Sequence, residues 1–261
     1  MSQVPGGADT LVVIPTYQEA ENIREVLTRV RAAVPDAHIL VVDGTSPDGT
    51  ADLARSLGAE LGNIDVLDAQ HAAGLGGAYR AGFRLGLERG YGTIVEMDAD
   101  LSHDPEAIPT LLSTLHETQA ALVIGSRYVP GGSIPNWSRH RQALSRWGNR
   151  YAAFVLGISV SDATSGYRVY RAETLEQAGY DTTTTAGYGF QIELAYRVSR
   201  TGGGIAEVPI RFVDRVRGNS KMTTTIAVEA LGLVTWWGIR DRSRDLYRRV
   251  RGGSSTPPET A

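Results

Sequence analysis

Cysteine is missing from all 261 residues, which removes disulfides, thiolate nucleophiles and cysteine-ligated zinc from any account of this chain and fits a reducing compartment. Lysine is all but missing too: Lys221 is the only one among 26 basic residues. Arginine fills every other basic position, so this lysine is a candidate for a place that wants a compact ammonium in preference to a planar guanidinium. The N-terminus, MSQVPGGADT, has no positive region followed by an apolar stretch, and no secretory signal is expected there. Long apolar runs are scarce. The nearest approach lies between Lys221 and Arg240, where 18 residues carry one charge, Glu229. That falls short of the roughly 20 apolar residues a spanning helix wants, and the successive Thr223, Thr224 and Thr225 weaken it further. Trp236 and Trp237 followed by Arg240, Arg242 and Arg244 suit a helix lying at an interface. A core helix with an amphipathic end accounts for the same pattern.

What is present allows one substantial core: 42% of the residues are hydrophobic, and the length suits one domain. The net charge of −3 conceals an asymmetry. From Arg215 to Arg251 nine basic residues stand against three acidic ones, a balance of +6, leaving 17 basic and 26 acidic residues elsewhere, a balance of −9. A basic end on an acidic body points to a local anionic partner and away from general nucleic-acid binding, although a solvated charged helix has the same composition.

Along the first 126 residues, short apolar runs alternate with amphipathic ones, the pattern of βαβ units around a mainly parallel sheet. TLVVIP, HILVVD, NIDVLDA, TIVEMD and ALVIGSR read as five strands, with helices expected from about Glu19 to Val34, from about Ala51, and from Gly74 to about Glu88. The second half is less regular. WSRHRQALSRWGNRYAAFVLG and FQIELAYRVSR read as helices, DATSGYRVYR as a short strand pair or loop, and GGIAEVPIRFVDR as a strand. Helical periodicity returns from Met222 to about Val250, with Ile226, Ala230, Leu233 and Trp237 on one stripe. The expected layout is a single α/β domain over 1–221, an amphipathic helix region over 222–251 and a disordered tail over 252–261.

The strongest chemical motif is Asp98-Ala99-Asp100 at the end of the TIVEM strand. In open α/β sheets ligands bind beyond the carboxyl ends of the strands, and a turn there can aim two carboxylates at one point. Such hard oxygen ligands suit Mg2+ or Mn2+ bridging a diphosphate.

Four further segments give the motif a context: PTYQEAENI after the first strand, VVDGTSPDGT after the second, GSRY after the fifth, and RVRGNSKM near the C-terminal end. With VEMDADLSH, DATSGYRVYR, GYGFQIELAYR and EVPIRF, their order and spacing resemble the dolichol- and polyprenol-phosphate mannose synthases, family 2 glycosyltransferases of GT-A fold. The likeness runs from residue 10 to about residue 240. It implies a Rossmann-like GT-A domain that moves mannose from GDP-mannose to a polyprenyl phosphate, at the cytoplasmic face of a membrane, with a membrane-protein partner as a further possibility. Residue by residue, it implies that Pro15, Tyr17, Glu19 and Asp43 contact the nucleotide. It assigns Asp98, Asp100 and Ser102 to the metal, with Ala99 between them in the donor site. It makes Arg127 a phosphate-facing arginine, which a surface ion pair would equally explain. Arg215 and Lys221 match the family's R-x-x-G-x-S-K pattern, with Gly218 and Ser220 in register, and would clamp the donor diphosphate and acceptor phosphate. Asp100, Arg127, Arg215 and Lys221 are thereby the candidate catalytic residues. His103, beside the metal motif, reads as a structural hydrogen bonder.

The missing general base fits this picture. No histidine–carboxylate pair stands out, and a phosphate monoester already carries about −1.5 to −2 charges near neutrality, so it attacks without deprotonation. Two departures fall in the nucleotide half of the site. Gly44 stands where relatives carry a second aspartate (VVDDxSPDGT), and AQHAAGLGG lacks the usual basic residue before GLG unless His71 substitutes. Three other readings remain. GLGGAY imitates the start of a dinucleotide loop, but Tyr79 stands at the third glycine's place and in the wrong βα unit for an oxidoreductase. A catalytically degenerate assembly subunit, and a transferase using another donor such as UDP-glucose, share the same motifs.

Overall fold

The computed structural model describes residues 7–70, 74–185, 187–214 and 231–240. Strand and helix alternate at first: β1 (Thr10–Thr16), α1 (Ile23–Ala33), β2 (His38–Asp43), α2 (Thr50–Leu61), β3 (Ile64–Asp68), α3 (Gly74–Glu88), β4 (Thr93–Glu96), α4 (Ile108–Thr118) and β5 (Leu122–Ser126). Then follow α5 (Arg139–Leu156), β6 (Arg168–Arg171), α6 (Ala172–Gln177), α7 (Tyr188–Arg200) and β7 (Ile205–Pro209), and residues 231–240 are helical. The seven strands form one sheet in the order β3-β2-β1-β4-β6-β5-β7.

Because successive strand residues point to opposite faces, the central strands supply two cores at once. Leu11, Val13, Leu40 and Val42 face the α3, α5 and α7 layer, while Val12, Ile14, Ile39 and Val41 face α1, α2 and α4. That double burial is why these strands read as unbroken apolar runs. Helix α1 buries Ile23, Val26, Leu27 and Val30, and α4 buries Ile108, Leu111, Leu112 and Leu115, each an i, i+3, i+4, i+7 stripe. Helix α3 closes more tightly still, since a Cβ at Gly82 would sit 2.4 Å from Val13 Cγ1.

Two expectations need correcting. Helix α1 begins at Ile23 and not near Glu19, because residues 18–20 belong to a loop whose backbone N–H groups are bound elsewhere. The stretch read as a strand pair or loop contributes a single strand, β6, inserted between β4 and β5 and antiparallel to both. The rest of the sheet is parallel, as the alternating pattern implies. Of the helix expected over 222–251, residues 231–240 are helical; the remainder, the tail 252–261, Arg215, Gly218, Ser220, Lys221 and His71 lie outside the described residues.

Candidate active site

The C-terminal ends of β1, β2 and β4 lie side by side, and the loops leaving them carry the residues singled out by sequence. Asp43 is 1% exposed at the end of β2. Its Oδ1 accepts hydrogen bonds from Thr16 Oγ1 (2.8 Å) and Ser46 Oγ (2.7 Å), and its Oδ2 accepts from Ser46 N (2.8 Å). The carboxylate that the resemblance places at the nucleoside thus braces the β1 and β2 loops.

The bracing continues along both loops. Gln18 N donates to Ser46 Oγ (2.9 Å), Glu19 N to Thr50 Oγ1 (3.0 Å) and Ala20 N to Asp48 Oδ2 (3.1 Å). SPDGT thus holds the backbone of the first loop, which presents Tyr17, 46% exposed, to solvent. Pro15 is half-buried in β1, and the Glu19 carboxylate accepts from Asn22 Nδ2 (2.8 Å).

Gly44 does not occupy a left-handed backbone position; Thr45 does, at φ 63°. The glycine is thus not required by the turn. A Cβ there would lie 3.5 Å from Thr16 O and 3.6 Å from Tyr17 Cδ2, ordinary van der Waals distances. Gly44→Asp should leave the melting temperature unchanged. If the added carboxylate accepts one hydrogen bond from a nucleoside, GDP should bind about tenfold to a hundredfold tighter by calorimetry. Weaker binding would show that the loop has no use for a second aspartate.

Beyond β4 the chain reverses sharply. Asp98 is partly exposed, Ala99 and Asp100 are buried, and Leu101 adopts φ 62°, a costly conformation for leucine. Ser102 N donates to Asp100 Oδ1 (3.0 Å), and Ser102 O accepts from Val213 N (3.3 Å). Ser102, implied as a third metal position, thus holds Asp100 in place through its backbone. His103 has the structural part expected of it: Nδ1 accepts from Asp98 N (3.3 Å), and the ring stacks on Tyr167 with centroids 4.9 Å apart.

Sequence reasoning missed the Tyr79 role. From α3, its buried hydroxyl donates to Asp98 Oδ1 (3.1 Å), and burial, with the Asp98 charge adding, holds its pKa well above the usual phenol value. The neighbouring Gly76 packs against Phe190 and Thr185 O inside the helix, so GLGGAY is a packing device. Glu96 was missed as well. It is fully buried two residues before Asp98, accepting from Tyr170 OH (3.1 Å) and from Gln191 Nε2. Burial pushes its carboxyl up to about 7, against the opposing charge of Arg168. Arg168, also fully buried, donates to the carbonyls of Ala163, Ser165 and Gln191.

Arg127 directly follows β5. It is 4% exposed, and its Nε and Nη2 donate to Asp162 Oδ2 (2.7 Å) and Oδ1 (2.6 Å) while its backbone N donates to the same carboxylate. Nη2 also donates to Thr164 Oγ1 (2.7 Å). Burial raises the Asp162 pKa, but the Arg127 charge and hydrogen bonds outweigh it and leave the net shift downward. The guanidinium is buried in its pair with Asp162, not a surface ion pair, and it locks the 162–166 loop. That loop returns to the site, since a Cβ on Gly166 would lie 3.7 Å from Asp98 Oδ2.

Residues 11–179 match the glycosyl transferase family 2 profile. The chain belongs to that family. The transferase is 49% identical over 240 residues to the undecaprenyl-phosphate mannosyltransferase of Micrococcus luteus, covering 92% of this chain and 98% of the relative. It is 48% identical over 243 residues to the polyprenol monophosphomannose synthase of Mycolicibacterium smegmatis, covering 92% and 91%. Among solved structures, glucosyl-3-phosphoglycerate synthase from Mycobacterium tuberculosis in complex with Mn2+ and UDP-glucose shares the fold, with a TM-score of 0.60 at 22% identity over 88% of this chain and 77% of that one. The same synthase with Mn2+, UDP and glucosyl-3-phosphoglycerate gives 0.59 at 21% identity over 90% and 80%.

Among the described residues of the transferase, no three His, Cys, Asp or Glu side chains cluster as a metal cage. A divalent cation at Asp98 and Asp100 would draw its remaining oxygens from substrate phosphates and water, the usual arrangement for Mg2+. Two hard carboxylates, one partly exposed at the crevice and one buried and braced, fit that demand.

Proposed function

We propose that this chain is an inverting mannosyltransferase that moves mannose from GDP-mannose to a polyprenyl phosphate, working peripherally at the cytoplasmic face of a membrane. The observation that carries the reading is the Asp98–Asp100 pair at the strand ends of a family 2 sheet; the two prenyl-phosphate mannose enzymes at 48–49% identity supply the substrate class. Asp98 and Asp100 would hold Mg2+ or Mn2+, which when bound neutralises the donor diphosphate and assists its departure. Tyr79 and Ser102 N orient the two carboxylates. Tyr17 and Glu19 present the nucleotide loop, held by Ser46, Asp48 and Thr50. Arg215 and Lys221 are assigned to clamp the two anionic groups, which repel each other and must be brought into line.

The acceptor phosphate oxygen attacks the anomeric carbon as the bond to the diphosphate oxygen breaks and GDP departs. An α-linked donor then yields a β-linked product. No proton has to be removed from the nucleophile, consistent with the phosphate's own ionisation. The test is to incubate the protein and membranes with labelled GDP-mannose, UDP-glucose and other sugar nucleotides, and to extract the lipid phase. A mannolipid formed from GDP-mannose alone is expected. A glucolipid would move the donor assignment to UDP-glucose, and no lipid product from any donor would leave a catalytically degenerate subunit.

A further inference from the structure

Gly166 has no side chain where the protein has room for one. Its backbone is not in the left-handed region, so the turn does not call for glycine. Crowding does not call for it either. A Cβ there would lie 3.5 Å from Gln191 Nε2, 3.7 Å from Asp98 Oδ2 and 3.8 Å from Asp98 Oδ1, all ordinary van der Waals distances. Gly166 and Asp98 are both half-buried, so the room between them is reached from outside.

The wall that carries Gly166 is held from both sides. Ser165 Oγ donates to Gly125 O (2.6 Å), and the fully buried Arg168 reaches back to Ser165 O (2.7 Å) and Ala163 O (2.7 Å). Tyr167, also fully buried, donates through its hydroxyl to Asp104 O (2.8 Å). Behind these, Arg127 fixes Asp162. A backbone braced in this way does not retreat, so a side chain at position 166 must project into the crevice.

We propose that Gly166 sets one wall of the subsite for the transferred hexose, its missing side chain leaving the room beside Asp98 that the sugar ring fills. The proposal rests on the reading of Asp98 and Asp100 as holders of the donor's metal. A sugar nucleotide carries its hexose on the terminal phosphate, so a cation that joins the diphosphate to Asp98 brings the ring alongside the same carboxylate. The lining suits a polyhydroxylated ring and not a prenyl chain. It consists of the Asp98 carboxylate, the bare backbone at Gly166 and the Gln191 amide. That amide gives one N–H to Glu96, and its buried Oε1 has no hydrogen-bond partner among the described residues, which leaves an acceptor for a hydroxyl.

Calorimetry on the full chain with Mn2+ and either GDP or GDP-mannose tests this. Gly166→Ala should melt with the wild type and bind GDP within about twofold of it, while GDP-mannose weakens about tenfold to a hundredfold, the effect of one methyl group too many in a fitted site. Donor kcat/KM in transfer to prenyl phosphate should fall by the same factor, with the KM for prenyl phosphate unchanged. Among GDP-mannoses lacking a single ring hydroxyl, at least one should regain much of the loss in the variant, because the missing oxygen makes room for the methyl. A misfolded variant would regain none. Wild-type affinity of Gly166→Ala for GDP-mannose overturns the proposal. So does an equal loss of GDP and GDP-mannose, which would put the wall at the nucleotide, or a change confined to the KM for prenyl phosphate, which would put it at the acceptor. If the wild type turns over UDP-glucose and not GDP-mannose, the donor assignment falls. The wall then stands if Gly166→Ala weakens UDP-glucose and spares UDP, and falls with it if the two ligands respond alike.

Discussion

Asp100→Asn should cut sugar transfer by about a hundredfold or more while leaving the melting temperature where it is. The two halves of this expectation have separate causes. The amide keeps Oδ1 as an acceptor for Ser102 N, so the turn through Leu101 stays closed. It loses the negative charge that a divalent cation needs in a site with two protein carboxylates, and several kcal/mol of charge stabilisation go with it. Single-turnover rates with and without added Mn2+, beside a thermal melt, separate the effects. A variant that turns over normally in excess EDTA would remove the metal from this site altogether.

Asp162→Ala should destabilise the fold by about 3–5 kcal/mol, because it strands the buried Arg127 charge without its partner. A urea midpoint reads the loss directly. Arg127→Met/Asp162→Leu should recover part of it, since no lone charge then remains inside. The pair also predicts a pH response. The Asp162 carboxyl is held below its ordinary 3.8, so its contribution is complete above that value and disappears as pH falls through the lower, folded-state pKa. Asp162→Asn should flatten that acid limb. If Asp162→Ala instead unfolds with the wild type, Arg127 is not locked in the pair and returns to the phosphate-facing role implied by the family resemblance.

Much of the frame was legible in the sequence because it is decided locally. Strands β1, β2, β4 and β5 are buried on both faces, so they must be apolar runs closed by turn residues, and the site loops begin where those runs end. The carboxylates of Asp98 and Asp100 were found for the same reason, as charges placed abruptly after TIVEM. Strand β6 was not legible as a single strand. Arg168–Arg171 is four residues long with an arginine at each end, and it becomes a strand only by entering the gap between β4 and β5. Arg168 looks like a surface residue in the sequence, yet it is fully buried because backbone carbonyls converge on it.

The roles within the site divided along the same line. Sequence alone established the family resemblance, the strand-end position of the acidic motif and the helical reading of WSRHRQALSRWGNRYAAFVLG. These depend on the order and spacing of side chains along one stretch of chain. Tertiary structure decided that Asp43 braces two loops, that Tyr79 holds Asp98, that Arg127 belongs to Asp162, and that residues 231–240 pack on α5. Each of those depends on a partner 19 to 84 residues away. A buried polar group must find its partner or lose several kcal/mol, but nothing in local periodicity says which partner the folding chain will bring.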